Sequence, residues 1–554
     1  MTHDSRVRTL QWRDLRKPAP LLAALVVVLI VVVALAFRWW DRYVEDGLGR
    51  WAVEELARRT GGTYRLVLGD LSFLPLAGTL AFDSATIVTD SARNRRRPVP
   101  LPVLRIGARQ CRVSGLSVPR LLLRKSFAAR ELGCHRVVAR IALTARSRPD
   151  PAAADTAAAA TPLGEFVRPL GISSFRVATV SFPSLSLALS RPGRRGDGSV
   201  VLDRARFDAE GLVFDLRTAV AHHARLGASG VLLRPDTLSE LSAARLEADL
   251  TDSTLWLAGA KHEPAIPEDE WVKRVRVRRD RIRFELDSLH ARGVAFRAFL
   301  TSGDIGIRRL ELLGARLDVL SDKRIPPARP RPRPTPQAVA ARPGPPFRLD
   351  TLLITAGTIV YREWELRRER PGVVSFERLS ATVLDLDLPS QGKPLRIDAS
   401  ARLMGEGVLS ARATVPLDAA DFRYQLAGKL EKMPARAFNR FLTENESFRF
   451  DNGSVEEITV RQTVRGGRAT TTVTPRYQDL SIEPTGEGGG VVGSVTRAVK
   501  DFVAGAFVVR SRNPDEDGKN LRIARTVRRY DRASPWTQFL WFGIRDGLVE
   551  VMKE

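Results

Sequence analysis

At 554 residues the chain has room for several domains, yet it carries 41 glycines, 34 prolines and no extended helical periodicity between Gly62 and Pro484, which excludes a helical bundle and leaves one long β array. The formal net charge is +25, with 77 arginines among the 88 basic residues. In a cytoplasmic protein that balance would point to nucleic acid; here the N-terminus excludes it, because it places nearly all of the chain beyond a membrane, where acidic partners are lipid head groups or surface glycans.

Residues 1–17 read as a cytoplasmic tail, since Arg6, Arg8, Arg13, Arg16 and Lys17 are set against only Asp4 and Asp14. Residues 18–40 read as a transmembrane anchor. The run Pro20–Phe37, "PLLAALVVVLIVVVALAF", is free of charge, and with Ala19 and Trp39-Trp40 it approaches the roughly 20 residues a spanning helix requires. Trp39 and Trp40 are expected at the far interface, with the remainder exported. Ala34-Leu35-Ala36 resembles a processing site, so a cleaved signal is the rival reading; the apolar run is longer than a usual signal core.

After a short amphipathic helix over 41–62, the sequence predicts β structure over 63–145, 165–322 and 347–485. An Ala/Pro-rich linker over 146–164 and a Pro-rich linker over 323–346 divide it, because proline donates no ladder hydrogen bond. Within the array one pattern recurs: apolar, any four, apolar, any one, apolar. It fits Ile106/Cys111/Val113, Phe182/Leu187/Leu189, Phe207/Leu212/Phe214, Leu226/Val231/Leu233, Leu250/Leu255/Leu257, Leu289/Val294/Phe296, Leu312/Leu317/Val319, Ile354/Ile359/Tyr361 and Leu379/Leu384/Leu386, at intervals of roughly 25 residues. A two-residue step keeps side chains on one face of a strand, whereas a five-residue step changes parity, so the chain must turn or bulge in between; a tight hairpin is the simplest expectation. Turn-tolerant residues fill the middle, Leu-Gly-Ala-Arg at 313–316 and Thr-Ala-Gly-Thr at 355–358. The stretch "IRFEL" alternates openly, with Ile282, Phe284 and Leu286 on one face and Arg283 and Glu285 on the other.

Residues 486–554 read as a Gly-rich hinge and C-terminal amphipathic helices. Val492, Val495, Val499, Phe502, Val503 and Phe507 fall on one helical face. A second helix is expected from Pro535, with Ser534 as N-cap and a stripe of Trp536, Leu540, Ile544, Leu548 and Val551 edged by Trp541. Trp536 and Trp541 are candidates for a membrane interface, and a cap over the apolar end of the β array is the alternative.

No catalytic constellation is visible. The six histidines form no H-E-x-x-H, and there is no G-x-S-x-G elbow and no Walker loop. "GGGVVG" at Gly488–Gly493 contains G-x-G-x-x-G but lacks a parallel β-α-β context and reads as a hinge. No cofactor or metal is expected. Cys111 and Cys134 are the only cysteines; outside the cytoplasm such a pair bridges two neighbouring hairpins or stays as two buried thiols.

The segment after the anchor, "GLGRWAVEELARRTGGTYRLVLGDLSFLPLAGTLAFDSATIV", with Thr60-Gly61, Leu66, Leu68, Leu71, Phe73, Gly78, Leu80 and Phe82, resembles the start of AsmA-like proteins. "RYDRASPWTQFLWFGIRDGL" at Arg529–Leu548 is similar to the ends of some of them. The resemblance implies a non-enzymatic protein of a diderm bacterium, anchored in the inner membrane with its bulk in the periplasm. The fold it implies is mainly β: an N-terminal transmembrane helix, an elongated repetitive antiparallel β-sheet groove and C-terminal amphipathic helices. The groove would hold or conduct phospholipid or another envelope lipid on Phe182, Leu187, Leu189, Leu250, Leu255, Leu257, Leu312, Leu317, Val319, Ile354, Ile359 and Tyr361. The alternative is a scaffold of closed β-sandwiches that assembles outer-membrane proteins, as relatives of the TamB type are thought to do; the outer membrane or its proteins are then the partners.

Overall fold

The computed structural model describes residues 47, 49–50, 52–74, 77–98, 100–117, 120, 126–142, 174–191, 198–215, 219–236, 239–302, 304–327, 332–344, 346–389, 392–446, 448–484 and 509–553. The expected anchor at 18–40, with Trp39 and Trp40, lies outside these residues, as do the Ala/Pro-rich linker at 146–164 and the helix expected over 492–507. Among the described residues no helix is long and apolar enough to cross a membrane.

A helix over 52–60 opens the fold and ends where the Thr60 hydroxyl donates to the Leu56 carbonyl, 2.7 Å away, before left-handed Gly61 and Gly62. All the strands that follow join one sheet, in which each pairs with a strand one or two places along the sequence. β1 (Tyr64–Leu68) and β2 (Leu71–Leu74) pair with β3 (Thr79–Thr89), which pairs with β4 (Val103–Ser114), and that with β5 (Ser126–Ala142). The ladder continues through β6 (Ser174–Arg191) and β7 (Gly198–Asp215), with the two-residue β8 (Ala219–Val220) beside it, to β9 (His223–Asp236) and β10 (Ser239–Asp249). β11 (Thr254–Pro264), β12 (Arg281–Val294), β13 (Ile305–Leu313), β14 (Arg316–Asp322), β15 (Phe347–Trp364) and β16 (Gly372–Leu388) form its middle. β17 (Leu395–Leu403), β18 (Gly407–Val415), β19 (Tyr424–Leu430), β20 (Met433–Pro434), β21 (Phe448–Arg465), β22 (Arg468–Pro484) and β23 (Ala524–Arg529) complete it.

The sheet is mixed, which corrects the all-antiparallel expectation. β5 runs parallel to β6, and β13 and β14 run parallel to β15. Both parallel joins fall where the two linkers interrupt the array. A strand can restart parallel to its predecessor only if the chain first crosses back to the starting side, which takes a long connection rather than a hairpin. The second linker packs as it crosses. Its short helix Pro336–Ala340 is capped by the Thr335 hydroxyl, buries Ala340 against Val415, Leu417 and Phe422, and points the Gln337 amide at the carbonyls of Pro416 and Arg423.

The repeat has a different cause from the hairpin expected of it. In the spacer of six triplets lies a residue with left-handed φ inside a strand or a strand kink: Gln110, Gly211, Gly230, Gly293, Gly314 and Ala356, at φ of 50°, 61°, 97°, 67°, 65° and 54°. Gly314 separates β13 from β14, yet both pair with β12 and β15, so the chain passes through a kink and continues along one path. Except around Ala356, the ladder stays in register across these residues, so the left-handed residue kinks the strand and reverses its side-chain alternation without inserting an extra residue. A five-residue apolar step across it therefore returns to the same face, as Phe207 and Leu212, on either side of Gly211, show by packing in one cluster. Glycine is needed at 314, because a Cβ there would lie 2.0 Å from Asp287 Oδ2. Only Leu250/Leu255/Leu257 spans a turn between strands, at left-handed Ser253. In Phe182/Leu187/Leu189 the pairing of β6 with β7 shifts register instead. Leu379/Leu384/Leu386 has no left-handed residue in its spacer; Arg378, at φ 52°, precedes it and Asp385, at φ 60°, separates its last two members.

Candidate functional site

Register places apolar residues directly opposite one another from strand to strand. One row runs Phe182, Phe207, Leu226, Ala248, Leu255, Ala291, Leu310, Leu352, Val383, Ile397, Ala413 and Leu426, crossing from β6 to β19 without a polar side chain. Beside it run Leu246, Leu257, Leu289, Leu312 and Ile354, and beyond the kinks Phe284, Leu317, Ile359 and Phe376, with Ile282, Val319, Tyr361 and Val374. The expected lining residues Leu255, Leu257, Leu312, Leu317, Val319, Ile354, Ile359 and Tyr361 thus share one face. Phe182 joins it stacked on Phe207, and Leu187 and Leu189 extend it opposite Leu202 and Val200. Leu250 sits in the turn after β10 and packs into the cluster of Val177, Val180, Ala209 and Ala224.

The exposure of this face decides between a dry core and an open surface. Along the long row the large side chains are all half-buried, and only alanines such as Ala248 and Ala291 are fully covered. The hydrophobic clusters of the middle of the sheet unite ladder neighbours. Closed sandwiches would pair two sheets and bury these leucines; the single sheet leaves them in reach of solvent.

The opposite face is wet. Arg206 pairs with Asp208, Arg225 with Asp249, Arg245 with Glu247, Arg309 with Glu311, Arg412 with Asp398 and Lys429 with Glu457, at 2.6–2.9 Å. Each such exposed pair contributes only about 0.2–1 kcal/mol. Their main consequence is to fix which face meets water.

Two features bound the apolar face; the sequence offers the first only as the alternative of a cap over the end of the array, and the second not at all. At β21–β23 the row turns polar: Leu426 lies opposite Gln462, which lies opposite Thr471 and then Thr526. Gln462 is fully buried, accepts from the Tyr424 hydroxyl and donates to Thr471 Oγ1 at 2.8 Å. Over this patch lies the C-terminal helix Trp536–Met552. Its buried residues are Phe539, Phe542, Gly543, Arg545, Gly547 and Val551, a face rotated from the expected stripe of Trp536, Leu540, Ile544 and Leu548. Gly543 and Gly547 bring the helix backbone onto the sheet, where an added Cβ would stand 2.4 Å from Gln462 Nε2 and 2.6 Å from Val473 Cγ2. Hydrophobicity alone cannot reveal a contact made by glycine. The expected cap by Ser534 is also absent: Pro535 holds the N-cap position without a side-chain bond, and the Ser534 hydroxyl turns to Asp531. Trp536 packs against the Phe422–Phe539 cluster, and Trp541 is 48% exposed.

The second boundary lies at the ends of β14 and β15. The Tyr361 hydroxyl donates to Glu363 at 2.5 Å, and Lys323 Nζ bridges Glu363 at 2.7 Å and Glu365. Burial works against the charged Lys323 amine, but Glu363 and Glu365 outweigh it and hold its pKa above the ordinary lysine value. Nearby Glu446 is pushed above the usual carboxylate range by desolvation. Tyr361 therefore marks the polar rim of the face rather than its apolar floor.

At the other end of the molecule, a disulfide joins Cys111 of β4 to Cys134 directly opposite on β5. No group of His, Cys, Asp and Glu among the described residues is arranged to hold a metal. Comparison with models of known protein families and with curated proteins finds no match.

Proposed function

We propose that the chain is an AsmA-like protein, anchored in the inner membrane with its bulk in the periplasm, whose apolar sheet face forms a groove that holds or conducts lipid acyl chains in envelope lipid transport and outer-membrane homeostasis. The observation that carries this reading is the uninterrupted apolar row from Phe182 to Leu426, whose large side chains remain half-buried because no second sheet covers them. At about 4.8 Å per strand the row extends over about 50 Å. Hydrocarbon laid on it leaves water at about 0.8 kcal/mol per CH₂, while the paired arginines keep the outer face solvated.

A photo-crosslinking residue at Leu289, Leu312 or Leu352 of the full chain in cells is expected to capture lipid, and one at Arg283 or Arg309 on the wet face is not. Adducts to protein alone from the inward sites would refute lipid binding and favour the assembly scaffold. Alkaline phosphatase fused after Trp256 is expected to be active; activity there of a reporter that works only in the cytoplasm would overturn the topology.

A further inference from the structure

On the wet face, where the bulges cross β15 and β16, a cleft of about 440 Å³ opens between Arg316, Thr358, Ser375, Glu377, Arg378 and Arg440. Its three arginines come from three elements. Arg316 lies opposite Thr358 in the β14–β15 ladder, Arg378 is a left-handed residue of β16 at φ 52°, and Arg440 stands on the helix Asn439–Asn445, which fills the space between β16 and β21. All three are exposed, and none makes an ion pair or side-chain hydrogen bond among the described residues.

Other exposed arginines, such as Arg461 and Arg476, are unpaired among the described residues too; these three are set apart by their convergence on one cleft. The acids within reach are engaged elsewhere. Glu285, opposite Arg316 on β12, takes Arg283 at 2.7 Å, and Glu377 accepts the Ser375 hydroxyl at 3.0 Å. Three guanidinium groups held around one concavity, against one carboxylate already bonded, leave the cleft with a net positive charge and free forked donors. Forked guanidinium donors match the paired oxygens of a phosphate, and convergence from three elements gives the site a shape that scattered surface arginines lack.

We propose that this cleft binds a phosphate group, carried by a phospholipid head group or by a soluble phosphate. It lies on the face opposite the acyl-binding row and does not rest on the lipid reading. The test uses the full chain in neutral nanodiscs, titrated by calorimetry with inorganic phosphate, and, in a second arm, co-floated with vesicles of neutral lipid with or without phosphatidic acid. Arg316→Gln, Arg378→Gln and Arg440→Gln are each expected to weaken binding about tenfold, and the triple variant to abolish it, as loss of charge-assisted bonds requires. Since none of the three is buried or paired, the melting temperature is expected to stay unchanged.

Saturable phosphate binding that the triple variant loses, with vesicle binding unaffected, assigns the site to a soluble phosphate. Loss of phosphatidic-acid-dependent flotation in the same variant assigns it to a head group. Phosphate and vesicle binding that are both absent from the wild type, or both unchanged in the triple variant, overturn the proposal. Neither outcome bears on crosslinking from Leu289, Leu312 or Leu352, so the two readings fail separately.

Discussion

Gly543→Ala tests whether the C-terminal helix is seated on the sheet through its glycines. The added methyl would lie 2.4 Å from Gln462 Nε2 and 2.7 Å from Thr471 Oγ1, on top of the hydrogen bond that joins them. Gln462 is fully buried and Thr471 is 1% exposed, so neither can recede into solvent. Overpacking of this kind costs about 1–3 kcal/mol. Separating the amide from the hydroxyl leaves a buried polar group unsatisfied, for about 1–3 kcal/mol more. Alanine regains about 1 kcal/mol in helix propensity over glycine. The balance is a loss of about 3 kcal/mol at mid-range, roughly a hundredfold in the equilibrium between seated and lifted helix. Hydrogen exchange of the amides over 539–551 in the full chain reads that equilibrium directly, and protection is expected to fall by about this factor. A helix that is not seated gains only the propensity term. Increased protection in Gly543→Ala would therefore refute the packing described here.

Phe539→Ala, at a side chain only 3% exposed under the same helix, is expected to cost about 3–5 kcal/mol, whereas Leu352→Ala on the open row is expected to cost about 1 kcal/mol or less; denaturant unfolding of the two variants compares them directly. Leu317→Asp is expected to leave the fold standing yet abolish recovery of co-purified lipid by mass spectrometry, because a charge in the acyl path is poorly solvated. Replacing Cys111 and Cys134 by serine opens a loop of 23 residues and is expected to cost about 3 kcal/mol, read by denaturant unfolding against the oxidised parent. Glu446 has its folded pKa raised by desolvation above the ordinary 4.5, so its ionisation opposes folding as pH rises through that region. Glu446→Gln is then expected to raise the melting temperature at pH 8 and leave it unchanged at pH 4; the reverse order would contradict the burial of that carboxyl.

Period-two alternation in stretches such as "IRFEL" was enough to recover the strands, and the spacing of the triplets carried real structural information, though not the information it first suggests. A parity change between Leu312 and Leu317 is equally consistent with a hairpin and with a kink, since both present turn-tolerant residues to the reader. What separates them is whether the flanking segments pair with each other or with common neighbours, and that is a long-range fact absent from the local pattern. The prolines of 323–346 showed that no central strand runs there. That the linker carries the chain back to the starting side, so that β15 repeats the direction of β13 and β14, follows only from their parallel pairing. The helix seat was least legible, because Gly543 and Gly547 contribute nothing to an apolar stripe and are selected by absence of volume.

The two ends of the apolar row differ in kind, and on the proposed reading they divide its behaviour. Toward β5 the row meets Phe182 and the cluster of Val177, Val180 and Ala209, so hydrocarbon finds apolar surface continuing. Toward β23 it meets Gln462, Thr471 and Thr526, bonded to one another and to the backbone of the helix above, with Thr526 donating to the Gly543 carbonyl. An acyl chain reaching that point would have to displace a satisfied buried network for no polar replacement, at a cost of about 1–3 kcal/mol for each group left unbonded. On that reading the helix would act as an end stop, and acyl chains on the row would have their free approach from the side of the open strands, away from β23.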